Sequence, residues 1–364
     1  MVVRWAAALV AFFVVILVGM VTIGNFGTGI DTGNFFDTEG ANSFALIGAL
    51  ALVAAFLVYA VVEYAQTGGL ASIASQFDTR TIVLMPIAVA INIILGATVA
   101  NALKIPIYLD SIGTILVGAL AGPVAGALTG FLSNTLWTYV IPPPFQNGPA
   151  AAFGIVAVVI GVLAGIAGRA GWLRPRPNRS STELAIGGAI AIVIVVGLAF
   201  YAYTRFYTTA FEFFNPDNTD PIFVVLGWLI GAIFVAFIVG FAGLLFVRRD
   251  LAVAYVTVVG VVTGIVAALI SAPISANVFG GVTGGGTDFL VAAFRQAGAD
   301  LETATFQQGL LSDPVDKLVT FFVVYLILAA MARRTKARFP QGEKLIEAGE
   351  AATEEEGEWR GTPA

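Results

Sequence analysis

The chain has 364 residues, of which 58% are hydrophobic and 11% are charged, and its formal net charge is −5. This balance excludes a soluble globular domain and is typical of a polytopic helical membrane protein. Because the chain has no cysteine and no histidine, disulfides, thiolate chemistry, His/Cys zinc sites and histidine-based catalysis are excluded. We therefore expect an all-α membrane protein. We also expect that it is not an enzyme and has no cofactor or metal site, in agreement with the resemblance described below.

Apolar runs of about 20 residues, the length that crosses a bilayer, predict the transmembrane helices in chain order. Ten spans are expected: Trp5–Ile23, Ser43–Ala65, Thr81–Ala100, Ile112–Ala121, Pro123–Val140, Ala150–Gly168, Glu183–Ala202, Ile222–Val247, Leu251–Ala272 and Val315–Ala332. The polar and glycine-rich segments cluster in six of them. The sequence thus predicts a six-helix core carrying two additional hairpins.

These spans divide the chain into five regions. An N-terminal hairpin (1–80) precedes core helices 1–4 (81–180). A second hairpin (181–249) is inserted before core helices 5 and 6 (250–338), which are joined by a long outer loop. An acidic cytoplasmic tail (339–364) follows, and we expect it to be disordered or loosely helical.

The fourth span is unusually short. Ile112–Ala121 has ten residues and covers about 15 Å, half of a bilayer's hydrocarbon core. It follows a helix that is broken at Lys104–Pro106, and freed backbone groups cannot face lipid. Broken helices at membrane depth usually line a cavity. The segment from Asn101 to Trp137 therefore predicts a solute cavity, the alternative being a re-entrant segment without function.

The distribution of positive charge predicts the orientation. Of the 18 Lys and Arg residues, four (Lys104, Arg205, Arg295 and Lys317) fall on the outer side and the other fourteen inside, if the short span is a true crossing. This asymmetry predicts a multi-pass protein of the cell membrane with both termini in the cytoplasm.

Several polar residues allow two interpretations each. Amides within spans, such as Asn92 and Asn134, either join helices or contact a ligand. Asp313-Pro314 has the pattern of a helix start, which would put Asp316 and Lys317 in a capping cluster with a surface ion pair, or at the mouth of a solute cavity. The loop Gly280–Asp288 lacks the Gly-Lys-Ser/Thr of a nucleotide loop and is expected to be a gating or lid loop, the alternative being a structureless linker.

Several stretches together resemble the substrate-binding S components of energy-coupling factor (ECF) transporters. They are Lys104–Gly113, Gly122–Gly126, Ser133–Trp137, Ala272–Asn277 with the glycines that follow, and Leu311–Lys317. The resemblance covers about Thr81–Arg174 and Leu251–Arg338. The two extra hairpins depart from the usual six-span plan.

The resemblance implies a six-helix core that binds a vitamin or related micronutrient from outside, without chemistry. It also implies docking on a transmembrane T subunit that is powered by two cytoplasmic ATPases. The substrate-binding residues implied are Tyr108, Asp110, Asn134, Trp137, Gln146, Asn147, Asn277, Asp288, Asp316 and Lys317. The docking residues implied are Ala88, Asn92, Gly96 and Ala100, with Asn92 standing where the family has a small residue.

Two other functions are compatible with the sequence, and nothing in it suggests a nucleic-acid partner. One is a membrane sensor or receptor that binds a small solute and signals through the acidic tail. The other is a stand-alone secondary transporter, which should have inverted repeats and a coupling-ion site; no convincing internal repeat is visible.

Overall fold

A computed structural model describes residues 2–23, 38–209, 239, 243–247 and 249–347. Within these ranges every regular secondary-structure element is a helix, and there is no strand. Six of the described helices are long and apolar enough to cross a membrane: Val3–Thr22, Asn42–Thr67, Thr79–Ala102, Gly148–Arg169, Ser181–Leu198 and Ala252–Phe279. The predicted all-α class is confirmed, and the helices are consistent with a polytopic membrane protein. The predicted spans Ile112–Ala121, Pro123–Val140 and Val315–Ala332 are not among these six. The predicted span Ile222–Val247 lies largely outside the described residues, so the count of ten stays a prediction.

The α-helices, numbered in chain order, have the following bounds. They are α1 Val2–Thr22, α2 Thr38–Thr67, α3 Ala71–Ala74, α4 Thr79–Gly96, α5 Ile112–Ala121, α6 Pro123–Tyr139, α7 Gly154–Arg169, α8 Ser181–Thr209, α9 Ala252–Phe279, α10 Asp288–Gln296, α11 Leu301–Ala330 and α12 Arg333–Lys336. A π-helix, Ala97–Ala102, continues α4, and a second one covers Gly243–Val247. Short 3₁₀ helices cover Gly148–Phe153, directly before α7, and Gly342–Leu345.

Helix α4 ends where the sequence predicted a break. The Asp78 side chain caps its start by accepting a hydrogen bond from the Thr81 backbone N–H at 2.8 Å. After the π turn, Lys104 takes a left-handed backbone conformation with φ 52°. Leu109, with φ 51°, has a second left-handed conformation in the same loop. The chain therefore leaves α4 before Pro106 and re-enters a helix only at Ile112.

The half-length helix α5 is enclosed by the rest of the bundle. All ten of its residues are buried. It packs against α4, α6, α7 and α11, so its backbone is shielded on every side. This arrangement confirms the expectation that a ten-residue span needs other helices around it. It also explains why the segment can be so short, since none of it faces lipid.

Two helix boundaries differ from the predicted ones, because Pro273 and Pro314 both lie inside helices. Helix α9 continues through Pro273 to Phe279, and α11 runs without interruption from Leu301 through Pro314. The predicted helix start at Asp313-Pro314 is therefore wrong. The real start is capped by the Asp300 side chain, which accepts from the Thr303 N–H at 2.8 Å. Pro314 is accommodated because it faces Gly264 of α9, where a Cβ would lie 2.3 Å from the Pro314 Cα.

The segment after α12 closes one end of the bundle. The Gln341 backbone N–H donates to the Leu120 carbonyl at 2.8 Å, and its side-chain amide donates to the carbonyls of Gly118 and Gly165 at 3.1 and 3.3 Å. Leu345 is fully buried beside it. The predicted acidic tail thus begins with a packed portion, 339–347, and the rest of it lies outside the described residues.

Candidate functional site

A cavity of about 100 Å³ lies at the N-terminal end of α5, opposite the end that Gln341 closes. Its wall is formed by the π turn and the 103–111 loop, by α6, α7, α9 and α11, and by the loop before α10. Six of the ten predicted substrate-binding residues line it: Tyr108, Asp110, Asn134, Trp137, Asn147 and Lys317. The hollow predicted beside the broken helix is therefore present, and its largely apolar wall carries several charged and amide side chains.

A buried ion-pair cluster forms one side of this cavity. The Lys317 ammonium contacts the Asp316 carboxylate, donates to the Ser111 hydroxyl at 2.8 Å and lies 3.8 Å from an Asp110 carboxylate oxygen. Asp316 is fully buried and Lys317 is 4% exposed. The alternative interpretation of these residues as a surface ion pair at a helix start is wrong, because α11 continues past them on both sides.

Asp316 orders the neighbouring loop and does not line the cavity. One of its carboxylate oxygens accepts the backbone N–H groups of Tyr108 at 3.0 Å and Leu109 at 2.8 Å. These bonds hold the loop at the point where Leu109 is left-handed, a conformation that costs a leucine roughly 1–2 kcal/mol. Asp316 thus acts on the cavity indirectly, by fixing the loop that carries Tyr108 and Asp110.

Asp313 also lines the cavity, although the resemblance did not include it among the binding residues. Its carboxylate accepts hydrogen bonds from the hydroxyls of Ser271 at 3.1 Å and Ser312 at 3.2 Å. The sequence did contain a signal for it. Asp313 and Lys317 are four residues apart, so once both lie inside one helix they share a face.

Two amide side chains in the wall have hydrogen-bonding capacity that the described residues do not use. Asn134 is 7% exposed, and its side chain has no partner within the described ranges. The side-chain carbonyl oxygen of Asn147 is buried and is also unpartnered there. Buried polar groups are nearly always satisfied, so the Asn147 oxygen is an exception, and the Asn134 amide, which lines the cavity, is available to a polar occupant.

Trp137 and Tyr108 form part of the wall and are themselves held in place. The Trp137 indole N–H donates to the Phe145 carbonyl at 2.9 Å, and its ring packs on Gly96, where a Cβ would lie 2.4 Å from the ring. The Tyr108 hydroxyl is hydrogen-bonded to that of Thr287 at 2.7 Å. As predicted, Trp137 shares a face of α6 with Asn134.

The glycine-rich loop predicted as a lid folds against the cavity, with Thr283 and Gly285 in the wall. The Asp288 carboxylate accepts from the Thr283 N–H and hydroxyl, both at 2.9 Å, and from the Gly284 N–H at 2.7 Å. Lys104 donates to the Gly284 carbonyl at 2.5 Å. Burial raises the pKa of Asp288 above its ordinary value, against the opposing effect of these hydrogen bonds. Because Asp288 occupies the loop's amides, they are not free to bind a phosphate.

Gln146, Asn277, Asp288 and Asp316 are the four predicted binding residues that do not line the cavity. Gln146 is exposed and donates to the Thr138 carbonyl at 2.7 Å. Asn277 is exposed on another side of α9, donates to the Pro273 carbonyl at 3.0 Å and borders two separate crevices of about 610 and 570 Å³. Asp288 and Asp316 order loops, as described above.

The four predicted docking residues lie on the buried face of α4 and the π turn. Asn92 accepts from the Gly113 N–H at 2.7 Å and donates to the hydroxyls of Thr114 and Ser133, both at 2.9 Å. Ala88 is fully buried against Gly113, Gly96 packs on Trp137, and Ala100 lines the cavity. The small-residue spacing therefore packs this helix within its own chain, and these side chains are not accessible to a partner.

Comparison of the chain with protein-family models, with curated proteins and with solved structures finds no match. The resemblance to S components accordingly stays a prediction from the sequence. The fold is consistent with a polytopic helical membrane protein, and one end of the bundle holds a cavity with charged and amide side chains in its wall.

Proposed function

We propose that this chain is the substrate-binding membrane subunit of an ECF-type importer. It binds a small solute from outside, in the cavity beside α5, and releases it inward together with a T subunit and two cytoplasmic ATPases. It carries out no chemistry on the solute. The observation that carries the proposal is a cavity within the helix bundle whose wall includes Asp110, Asp313, Lys317 and the amide of Asn134.

The polarity of the wall supports solute binding. Ionisable residues inside membrane proteins are costly and commonly mark substrate or ion pathways. Here Asp110, Asp313 and Lys317 converge on one hollow, and the unpartnered amide of Asn134 faces the same space. A purely structural cluster would be expected to satisfy its own polar groups.

The two ends of the bundle support a direction of transport. The positive-inside count favours a cytoplasmic location for the segment after α12, which closes the bundle through Gln341. The cavity is then at the outer end, beneath the Gly280–Asp288 loop. Solute enters from outside when this loop moves, and inward release requires a larger rearrangement against the partner subunits.

The proposed assembly predicts which proteins co-purify with the tagged full-length chain from its native membranes. We expect a T subunit and two ATPases in the eluate, identified by mass spectrometry, and uptake that stops when the ATPase genes are deleted. Uptake that survives this deletion and collapses with the ion gradient would instead establish a secondary transporter. A signalling partner in place of the ATPases, with no uptake, would establish a sensor.

A further inference from the structure

The wall of the cavity has more negative than positive groups. Asp110 and Asp313 provide two carboxylates, and Lys317, which is already paired with Asp316 behind the wall, provides one ammonium. Lys317 is engaged by Asp316 and Ser111 and lies 3.8 Å from Asp110. Asp313 makes no salt bridge within the described part of the chain; it accepts hydrogen bonds from two serine hydroxyls and interacts with Lys317 only at longer range.

A carboxylate in this position favours a cation beside it. Burying a charge is costly unless it is paired, and hydroxyl donors only partly replace a counter-ion. Among the described residues, no group of three or more His, Cys, Asp or Glu side chains is arranged to hold a metal ion. The chemistry of the wall is therefore better matched by an organic cation than by a metal.

The Asn134 side chain lines the cavity and is compatible with the same class of occupant. Its amide oxygen accepts a hydrogen bond, as an ammonium group requires. A protonated amine has up to three N–H donors and no acceptor. The ring of Trp137 lies in the same wall, and aromatic faces attract ammonium groups.

We propose that the solute of this cavity carries a protonated amine, with Asp313 and Asp110 as its counter-ions and Asn134 as an acceptor. This inference rests on the proposed function, because it specifies the solute class for the same site. A cavity of about 150 Å³ holds a benzene molecule. The volume here, about 100 Å³, therefore fits an amine of few heavy atoms while the glycine loop stays closed.

The test uses three matched probes on the full-length protein in lipid nanodiscs. Ethanolamine, ethylene glycol and glycolate have the same two-carbon frame and are cationic, neutral and anionic. Each is titrated into the millimolar range while the thermal unfolding midpoint is followed. We expect ethanolamine alone to raise the midpoint. Its apparent affinity should fall at least tenfold in Asp313→Asn and should be unchanged in Glu302→Gln, which removes an exposed carboxylate from the same helix.

The outcomes separate this inference from the proposed function. The amine assignment is wrong if glycolate or ethylene glycol binds as tightly as ethanolamine. It is also wrong if the affinity for ethanolamine is equal in wild type, Asp313→Asn and Asp110→Asn. In both cases the proposal that the cavity binds a solute still stands. If none of the probes binds and native mass spectrometry identifies a retained solute without an amine, the assignment is again wrong. If none binds and the protein retains no solute, the proposed function fails as well. Because Asp110 lies in a loop, Asp110→Asn provides a second test if Asp313→Asn does not fold.

Discussion

Replacing Asp316 with alanine is expected to destabilise the folded protein by about 3–5 kcal/mol, the usual cost of breaking a buried ion pair. Asp316 is fully buried and contacts Lys317. Its removal leaves the Lys317 ammonium buried with Asp110 3.8 Å away and frees the Tyr108 and Leu109 N–H groups. The free energy of unfolding, followed by denaturant titration in mixed micelles, measures the effect.

The double variant Asp316→Leu with Lys317→Met is the matched control for this prediction. It removes both charges together, so no ammonium is left unpaired, and we expect it to recover a large part of the lost stability. The two N–H groups of the loop still lose their acceptor, so recovery should be incomplete. A single variant that loses solute binding but keeps wild-type stability would show that Asp316 contacts the solute, contrary to the geometry.

The second large effect is expected at Gly161, where α7 crosses α6. A Cβ at Gly161 would lie 2.3 Å from the Gly126 carbonyl carbon and 2.5 Å from the Ala127 nitrogen. Both are backbone atoms, so the helices must separate to admit even one methyl group. We expect Gly161→Ala to destabilise the protein by about 1–3 kcal/mol, the usual cost of overpacking, in the same denaturant titration.

Gly197 of α8 is the matched control for Gly161. It also lies inside a long helix, but no atom of the described residues outside that helix lies within 4 Å of the position where its Cβ would be. Gly197→Ala should therefore be neutral or slightly stabilising, because alanine favours helix more than glycine does. Equal stability of the two variants would contradict the close packing of α6 on α7.

The sequence was sufficient for the fold class because its signals are local. Runs of apolar residues give the helices, and the break at Lys104–Pro106 follows from proline and the left-handed Lys104. The predicted helix start at Asp313-Pro314 is wrong because proline is equally typical of a first helical turn. The actual place of Pro314 inside α11 depends on Gly264 of another helix, a contact that no local pattern encodes.

Part of the candidate site was predictable for the same reason. Asn134 and Trp137 are three residues apart and share a helix face, and both line the cavity. Asn277 lies at the same end of the bundle as Ser271, but six residues further along one helix, which turns it roughly 240° away. Small residues such as Gly96 and Ala100 mark close packing, and only the fold decides whether the neighbour is the same chain or a partner.

The most direct test of the central claim, that the cavity beside α5 holds a solute, is native mass spectrometry of the protein released from its own membranes. Ser271→Phe would place a ring in the cavity, whereas Leu269→Phe adds the same ring on the exposed side of α9. We expect one small molecule to be retained by the wild type and by Leu269→Phe, and to be absent from folded Ser271→Phe. Equal retention by both variants, or none by the wild type, would contradict the account.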